Sequence, residues 1–530
     1  MEHRGERHRH RLQRRVTGVI LKCLKDGTQE SSWCTKLLPT SISYGHFSFT
    51  PNSKPRCYTM SLEELILLIA SVICLGIPVI SQFSIRKEEI RDAVARYLSL
   101  ISVLLLIVLG SCLTRGRYLL GEAIEVSEYL KWIFISTGVV LFLTLFALSK
   151  LRGRLELWTS AYTLSILPLV SLLFILYFKS LVLAMVAWIL ASTAGYVLVG
   201  IKRDPFGVEG AIKYSLMGTL ATALFIYALA LLSPYVDPLN PSAISEKGEL
   251  SLLAISLLLV SISVEAGAAP FHYWLPDAYT GSQPVITAVL STAIKMASIG
   301  LLVNQLYVLS AIYPFYTMAG FAVLSAISMT WGNLGALTQT NVQRMMAYSA
   351  IAGIGYLYVG LASYNEGGLT GVLLYLVAYI LAKSSTFLIL DFLLRKAESL
   401  QLGDLRGVAF SYPLSVTVLT ISFLSLAGFP PLLGFWGKLY MFFSVISWAP
   451  WLTFLGIANS AISVAYYFYV LVQLFKGDSK MRREAELRDS CVIIAFILAT
   501  LSIILGLIVP LVSGEINRIS TEHLRLLKSP

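Results

Sequence analysis

The chain is short of charge. Only 13% of its 530 residues are Asp, Glu, Lys or Arg, about half the share of a soluble domain. That is too few to cover a water-facing globular surface, so the soluble classes are excluded. Cysteine is scarce too: Cys23, Cys34, Cys57, Cys74, Cys112 and Cys491 are all there are. None fall into a CxxC or another metal-ligand spacing, which argues against a disulfide framework and an iron–sulfur site. Histidine is limited to six. No glycine-rich phosphate loop follows a strand pattern, so nucleotide binding by this chain is not expected.

What the chain has is apolar length. It is 56% hydrophobic, and stretches of about 20 residues, enough to cross a bilayer, recur along nearly all of it. Fourteen are legible, near 62–80, 94–113, 130–149, 156–178, 180–200, 211–232, 250–270, 282–306, 312–337, 344–363, 368–394, 413–444, 452–475 and 490–513. The fifth is divided from the fourth only by Lys179. The expected fold class is therefore an all-α membrane protein with about 14 transmembrane helices.

The first 59 residues are different material. They hold eleven of the 41 Lys and Arg and four of the 30 Asp and Glu, leaving +7 of the net +11. One reading is a basic arm that touches anionic lipid or a partner. The other, which composition favours, is a disordered extension or start-site artefact upstream of Met60. No apolar run suited to a signal peptide precedes Met60. The expected division is 1–59 extension, 60–515 transmembrane core and 516–530 short C-terminal tail.

Basic residues favour the odd-numbered connections. These carry Arg86, Lys87 and Arg91; Lys150, Arg152 and Arg154; Lys202 and Arg203; Arg395, Lys396 and Arg406; and Lys476, Lys480, Arg482, Arg483 and Arg488. The even ones carry mainly Arg115, Arg117, Lys179 and Lys247. By the positive-inside rule the odd connections are cytoplasmic, and both ends of the core face outward.

Two apolar segments are interrupted alike. One reads Glu265-Ala266-Gly267-Ala268-Ala269-Pro270, the other Leu426-Ala427-Gly428-Phe429-Pro430-Pro431. Proline removes a backbone donor and glycine loosens the chain, so both are read as broken membrane helices. Matching breaks in two halves point to an ion path. A charge at mid-bilayer costs about 2.5–3.5 kcal/mol on insertion scales, which makes each such residue a functional candidate. The candidates are Glu265, Lys295, Lys383 and Lys438 as the path, with Lys213, His272 and Asp391 secondary. Low dielectric favours a neutral lysine, which can then load and release a proton. The structural alternative is a snorkelling lysine or a static ion pair. Asp391, four residues from Arg395, reads as a solvated or paired helix-end charge. His272 is either a proton relay or a cap for the loop after the first break. Lys213 lies near the start of its helix.

Three segments carry a family resemblance: Pro270-Phe271-His272-Tyr273-Trp274-Leu275-Pro276-Asp277-Ala278-Tyr279, Thr340-Asn341-Val342-Gln343-Arg344-Met345-Met346-Ala347-Tyr348-Ser349, and Ser425-Leu426-Ala427-Gly428-Phe429-Pro430-Pro431. Together they resemble the proton-translocating antiporter-like subunits of respiratory complex I. Gly434-Phe435-Trp436-Gly437-Lys438-Leu439-Tyr440 and the run from Gly332 to Asn341 are most similar to the subunit N type of NADH–quinone oxidoreductase. The match covers about residues 60–515. Multisubunit Na+/H+ antiporters, membrane-bound hydrogenases and archaeal complex-I-like enzymes share most of these motifs.

The resemblance implies two inverted five-helix repeats, near helices 4–8 and 9–13, with helices 7 and 12 broken. It implies a midplane row of polar residues in which Lys295, Lys383 and Lys438 occupy the lysine positions of helices 8, 11 and 12. It also implies a membrane-arm subunit beside other such subunits in the cell's inner or plasma membrane. Such a subunit does no redox chemistry and holds no cofactor; flavin, iron–sulfur clusters and quinone belong to its partners. Two departures stand out. The family's helix-5 glutamate is missing, its position falling near Trp188. The family's helix-7 lysine is Glu265 here. Either Glu265 is itself protonatable and works with Lys295, or the first half-channel is rewired and partly structural. The competing classes are an antiporter or hydrogenase subunit and a non-conducting scaffold.

Overall fold

The computed structural model describes residue 76 and residues 88–528, apart from 114–116, 120–121, 125, 149–157, 238–239, 245–247, 307–311, 398 and 478–484. Four expectations lie wholly or partly outside the described residues. They are the 1–59 extension, the apolar segment near 62–80, the residues Cys23, Cys34, Cys57 and Cys74, and the connection charges Arg86, Lys87, Arg115, Lys150, Arg152, Arg154, Lys247, Lys480, Arg482 and Arg483.

The other thirteen apolar segments coincide with helices. In chain order these are α1 Glu88–Cys112, α2 Glu128–Leu148, α3 Trp158–Tyr177, α4 Leu181–Gly200, α5 Pro205–Leu232 and α6 Glu249–Ala266. After the first break come α7 Leu275–Gly281, α8 Pro284–Asn304, α9 Pro314–Leu337, α10 Val342–Ala362 and α11 Glu366–Ala397. Then follow α12 Pro413–Ala427, α13 Leu433–Val445, α14 Pro450–Phe475 and α15 Ser490–Lys528. Among the described residues eleven helices are long and apolar enough to cross a membrane, and α6 and α12 are shorter apolar helices that stop at the breaks. Two short antiparallel hairpins sit in the connections, β1 Arg117–Leu119 with β2 Glu122–Ile124, and β3 Val236–Asp237 with β4 Asn240–Ile244.

Local chemistry sets the boundaries. Ser180 accepts from the Leu183 amide at 3.3 Å, which starts α4 directly after Lys179. Asp204 accepts from the Gly207 amide at 2.7 Å with Pro205 in the first turn of α5. Asn341 accepts from the Arg344 amide at 3.0 Å to start α10. Each satisfies a donor that the first helical turn leaves free.

The two breaks are closed by the same backbone device. At the first, Gly267 is left-handed (φ 73°), its amide donates to Val264 O at 3.2 Å, and the Ala268 amide donates to Ser263 O at 2.9 Å. At the second, Gly428 is left-handed (φ 87°), its amide donates to Ser425 O at 3.1 Å, and the Phe429 amide donates to Leu424 O at 2.9 Å. Both patterns are Schellman motifs, for which glycine is the favoured residue. The prolines follow in cis peptides, Ala269–Pro270 and Pro430–Pro431.

α8 is not a uniform α-helix. Leu290–Ile294 and Leu302–Leu306 are π-helical turns on either side of Lys295–Leu301. Such turns are frequent at functional sites. α10 and α11 are almost wholly buried, as is α8, and form the centre of the bundle. Gln343 ties α10 to the end of α7 by donating to Tyr279 O (2.7 Å) and Ser282 O (3.0 Å).

The expected tail at 516–530 has no boundary at 515, because α15 continues unbroken to Lys528. His523 stacks on Tyr129 (4.6 Å) and hydrogen-bonds Ser127 (2.9 Å) at the start of α2. Thr521 donates to Glu366 (2.7 Å), and Thr370 donates to Asn517 (3.0 Å), at the start of α11.

Candidate functional site

The four path candidates are all buried: Glu265 is 3% exposed, Lys295 4%, Lys383 0% and Lys438 3%. For charges expected at mid-membrane the question is what replaces water around each.

Glu265 lies in the last turn of α6, where the unpaired carbonyls of the helix end cluster. Two hydroxyls from other helices counter that crowding of oxygens. Ser192 on α4 donates to Oε1 at 2.6 Å and Tyr214 on α5 donates to the same oxygen at 2.8 Å. Tyr214 is fixed by stacking on Trp274 at 3.9 Å, and the Trp274 indole caps Val264 O at 2.9 Å. Trp188, one turn before Ser192, packs against Phe225. Ser192 is therefore the residue through which α4 reaches this carboxylate.

Lys295 follows the first π-turn of α8. It lines a small cavity together with Glu265, Tyr214, Trp274, Tyr279 and Ser298. Its Nζ lies 5.8 Å from the Tyr279 ring centre and has no hydrogen-bond partner among the described residues. Glu265 and Lys295 thus share one enclosure and interact electrostatically.

Lys383, midway along α11, is held by α10. Its Nζ donates to Met346 O at 2.7 Å and Ser349 Oγ at 2.9 Å, with the Tyr379 ring at 5.6 Å. Lys438, on α13, reaches back across the second break. It donates to Ala427 O and Ser460 Oγ, both at 3.0 Å, and lies 4.1 Å from the Tyr356 ring centre. That ring face is a favourable seat for a cation.

The secondary candidates sit elsewhere. Lys213 is partly exposed and paired, with Glu209 at 2.6 Å and Asp277 at 2.5 Å; Asp277 also binds Arg344 at 2.7 Å. Asp391 is buried, so the solvated reading fails and the paired one stands: Arg395 contacts it at 3.1 Å and Asp489 at 2.6 Å. Burial would raise the Asp489 carboxyl, but the Arg395 guanidinium overrides this and holds it below the usual carboxylate range. His272 is half-buried between Trp331 (5.9 Å) and Tyr348 (6.4 Å), past the first break. The partners Ser192, Tyr214, Ser349, Tyr356 and Ser460 were not singled out by the sequence. Neutral hydroxyls are common in membrane helices, and only their spatial convergence marks them.

Among the described residues no cluster of His, Cys, Asp and Glu is gathered that could hold a metal ion. The arrangement buries one acid and three amines, with Glu265, Lys295 and Lys438 at or beside helix interruptions and Lys383 midway along α11.

Comparison with known proteins gives the following. Residues 178–463 match the family described as NADH:quinone oxidoreductase/Mrp antiporter, TM. The chain is 34% identical over 308 residues to NADH-quinone oxidoreductase subunit N of Desulforamulus reducens, covering 57% of this chain and 64% of that protein. This match spans less than two thirds of that relative's length. It is 31% identical over 391 residues to NADH-quinone oxidoreductase subunit N of Heliobacterium modesticaldum, covering 72% of this chain and 82% of that protein. Among solved structures, a chain of respiratory complex I from Thermus thermophilus with bound aureothin is similar at 28% identity and a TM-score of 0.70, over 85% of this chain and 98% of that one.

Proposed function

Because the chain belongs to the NADH:quinone oxidoreductase/Mrp antiporter transmembrane family, we propose that it is a membrane-arm, proton-translocating subunit of a complex-I-like oxidoreductase. NADH or another donor is oxidised and quinone reduced in partner subunits, and residues 60–515 of this chain move protons. The path runs through two half-channels joined by Glu265, Lys295, Lys383 and Lys438. Both ends of the core face outward, as the basic residues of the odd connections suggest.

One observation carries the reading. Four ionisable side chains are buried, three of them at or beside interruptions in helices and Lys383 midway along α11, and protein groups stand in for water around Glu265, Lys383 and Lys438. A buried ion pair kept only for structure would be costly compared with apolar packing. Among the described residues Lys383 and Lys438 have no acid partner, only carbonyls, hydroxyls and rings. Such sites tolerate both the charged and the neutral form, as proton carriage requires.

In the first half, Glu265 takes the place of a lysine and works with Lys295 across their shared cavity. Replacing Glu265 with Gln in the assembled complex, reconstituted in sealed vesicles, should lower protons moved per electron, since the path loses one of its ionisable groups. Unchanged pumping would show that Glu265 is idle. Purifying the native complex tests the wider reading. Redox subunits should co-purify, and their absence would overturn it.

A further inference from the structure

Glu265 takes one of its two donors, the Tyr214 hydroxyl, from α5, and that side chain is placed by contacts on both sides of it. Lys213, the residue before Tyr214, donates to Asp277 Oδ2 at 2.5 Å and lies 5.2 Å from the Tyr273 ring centre. Tyr214 itself stacks on Trp274, three residues before Asp277, with the two rings parallel to within 3°. Adjacent residues of α5 thus meet the segment 273–277 twice, once at an ion pair and once at a ring stack.

The backbones come close enough for both contacts. A Cβ at Gly210 would meet Asp277 O at 2.8 Å, and one at Gly281 would meet Phe206 O at 2.4 Å. Small residues permit such an approach between membrane helices. Asp277 is also held from the opposite side, where Arg344 on α10 donates to Oδ1 at 2.7 Å. Burial would raise the Asp277 carboxyl, but the hydrogen bonds from Lys213 and Arg344 override this and hold it below the usual carboxylate range. It therefore stays charged at neutral pH, and both cations keep their acceptor.

α7 has only seven residues and follows directly on the short turn His272–Trp274. So short an element is placed by its contacts rather than by its length. A ring stack fixes the spacing of two planes more tightly than their offset, whereas a charge-assisted hydrogen bond fixes a point. We propose that Asp277 is a positioning residue for Glu265: by engaging Lys213 it sets α5 along α7 at the register in which the Tyr214 hydroxyl reaches Glu265 Oε1. That bond is 2.8 Å long, and its loss leaves Ser192 alone among the described residues as a donor to that oxygen. Neither Lys213 nor Asp277 lines the cavity that Glu265 shares with Lys295, but Tyr214 and Trp274 do, so the influence passes through them. The consequence for pumping rests on the reading of Glu265 as a proton carrier.

The test uses the assembled complex in sealed vesicles with Asp277→Asn, Lys213→Met, Lys213→Arg, Tyr214→Phe and the double variant Asp277→Asn with Tyr214→Phe. One readout is protons moved per electron. The other is the C=O band of protonated Glu265 in pH-difference infrared spectra, assigned as the band absent from Glu265→Gln. Asp277→Asn and Lys213→Met should each shift that band to higher wavenumber, as Tyr214→Phe does, and lower pumping toward the Tyr214→Phe level. Lys213→Arg keeps the charge and should leave both near wild type. The double variant should match Tyr214→Phe alone, because the two changes act through one hydroxyl. A residue that merely stabilises the fold would leave the band unmoved and add its loss to that of Tyr214→Phe; this result overturns the inference. If Asp277→Asn does not assemble, Lys213→Met decides, since Arg344 still holds the carboxylate. Shifted bands beside normal pumping in every variant, Glu265→Gln included, keep the positioning role and overturn the reading of Glu265 as a carrier.

Discussion

Where α6 stops, the Val264 carbonyl accepts from the Trp274 indole as well as the Gly267 amide; where α12 stops, the Ala427 carbonyl accepts from the Lys438 ammonium and the Ser460 hydroxyl. The backbone is closed identically at both breaks. The difference lies in the sign of the buried charge. A helix C-terminus offers only acceptors and a partial negative charge, so a lysine there is satisfied by its own break. A glutamate is not, and Glu265 draws its donors from α4 and α5 instead. The lysine thus takes its partners from across its own break and from α14, and the acid takes its partners from α4 and α5. Lys295 faces that acid across a cavity, whereas Lys383 and Lys438 are bonded directly to protein.

The comparison breaks most sharply at Lys438. Lys438→Met keeps the length of the side chain and removes the cation from Ala427 O, Ser460 and the Tyr356 ring. Pumping in reconstituted vesicles should fall by about 10²-fold, the lower range for losing a positioned proton-transfer group. Near-normal pumping would mean that the second break is not the working one. A smaller effect separates the two glycines. Gly267→Ala and Gly428→Ala each force a left-handed residue to carry a Cβ, costing about 1–2 kcal/mol, and thermal unfolding of the complex should register both. At 428 the new Cβ would also meet Lys438 Cδ at 2.9 Å, whereas at 267 it meets the apolar Leu275 Cδ2 at 3.1 Å. Pumping should therefore drop severalfold only in Gly428→Ala, and equal losses would refute the functional difference between the breaks. The smallest effect is expected from Ser192→Ala, which removes one of two donors to Glu265 at a cost of about 1 kcal/mol. Protons per electron should fall less than in Glu265→Gln; a larger fall would make Ser192 more than a support.

Both breaks were legible in the sequence because Ala-Gly-x-x-Pro inside an apolar run has few other meanings. The four path candidates were legible because charge is expensive in hydrocarbon. Their partners were not. Ser192 meets Glu265 across 73 positions, and Ser349 meets Lys383 across 34. Neither pairing leaves a local pattern, since a lone hydroxyl in a membrane helix reads as tolerated polarity. The π-turns beside Lys295 were also hidden: Leu290–Ile294 has ordinary helix-forming composition, and only tertiary packing selects the wider turn. Residues 516–530 read as a short tail, although Glu515, Arg518, Glu522 and Arg525 lie on an exposed face of a helix that runs on to Lys528. Yet Ser520 and His523, on another face of the same helix, are buried.

α15 has 39 residues, about 58 Å at 1.5 Å per residue. A bilayer core is about 30 Å thick. Nearly half of this helix is therefore surplus to crossing, and the surplus is where Asn517, Thr521 and His523 grip the beginnings of α2 and α11. It acts as a truss laid over the rim of the bundle. By holding the start of α11 it also braces the helix that carries Lys383.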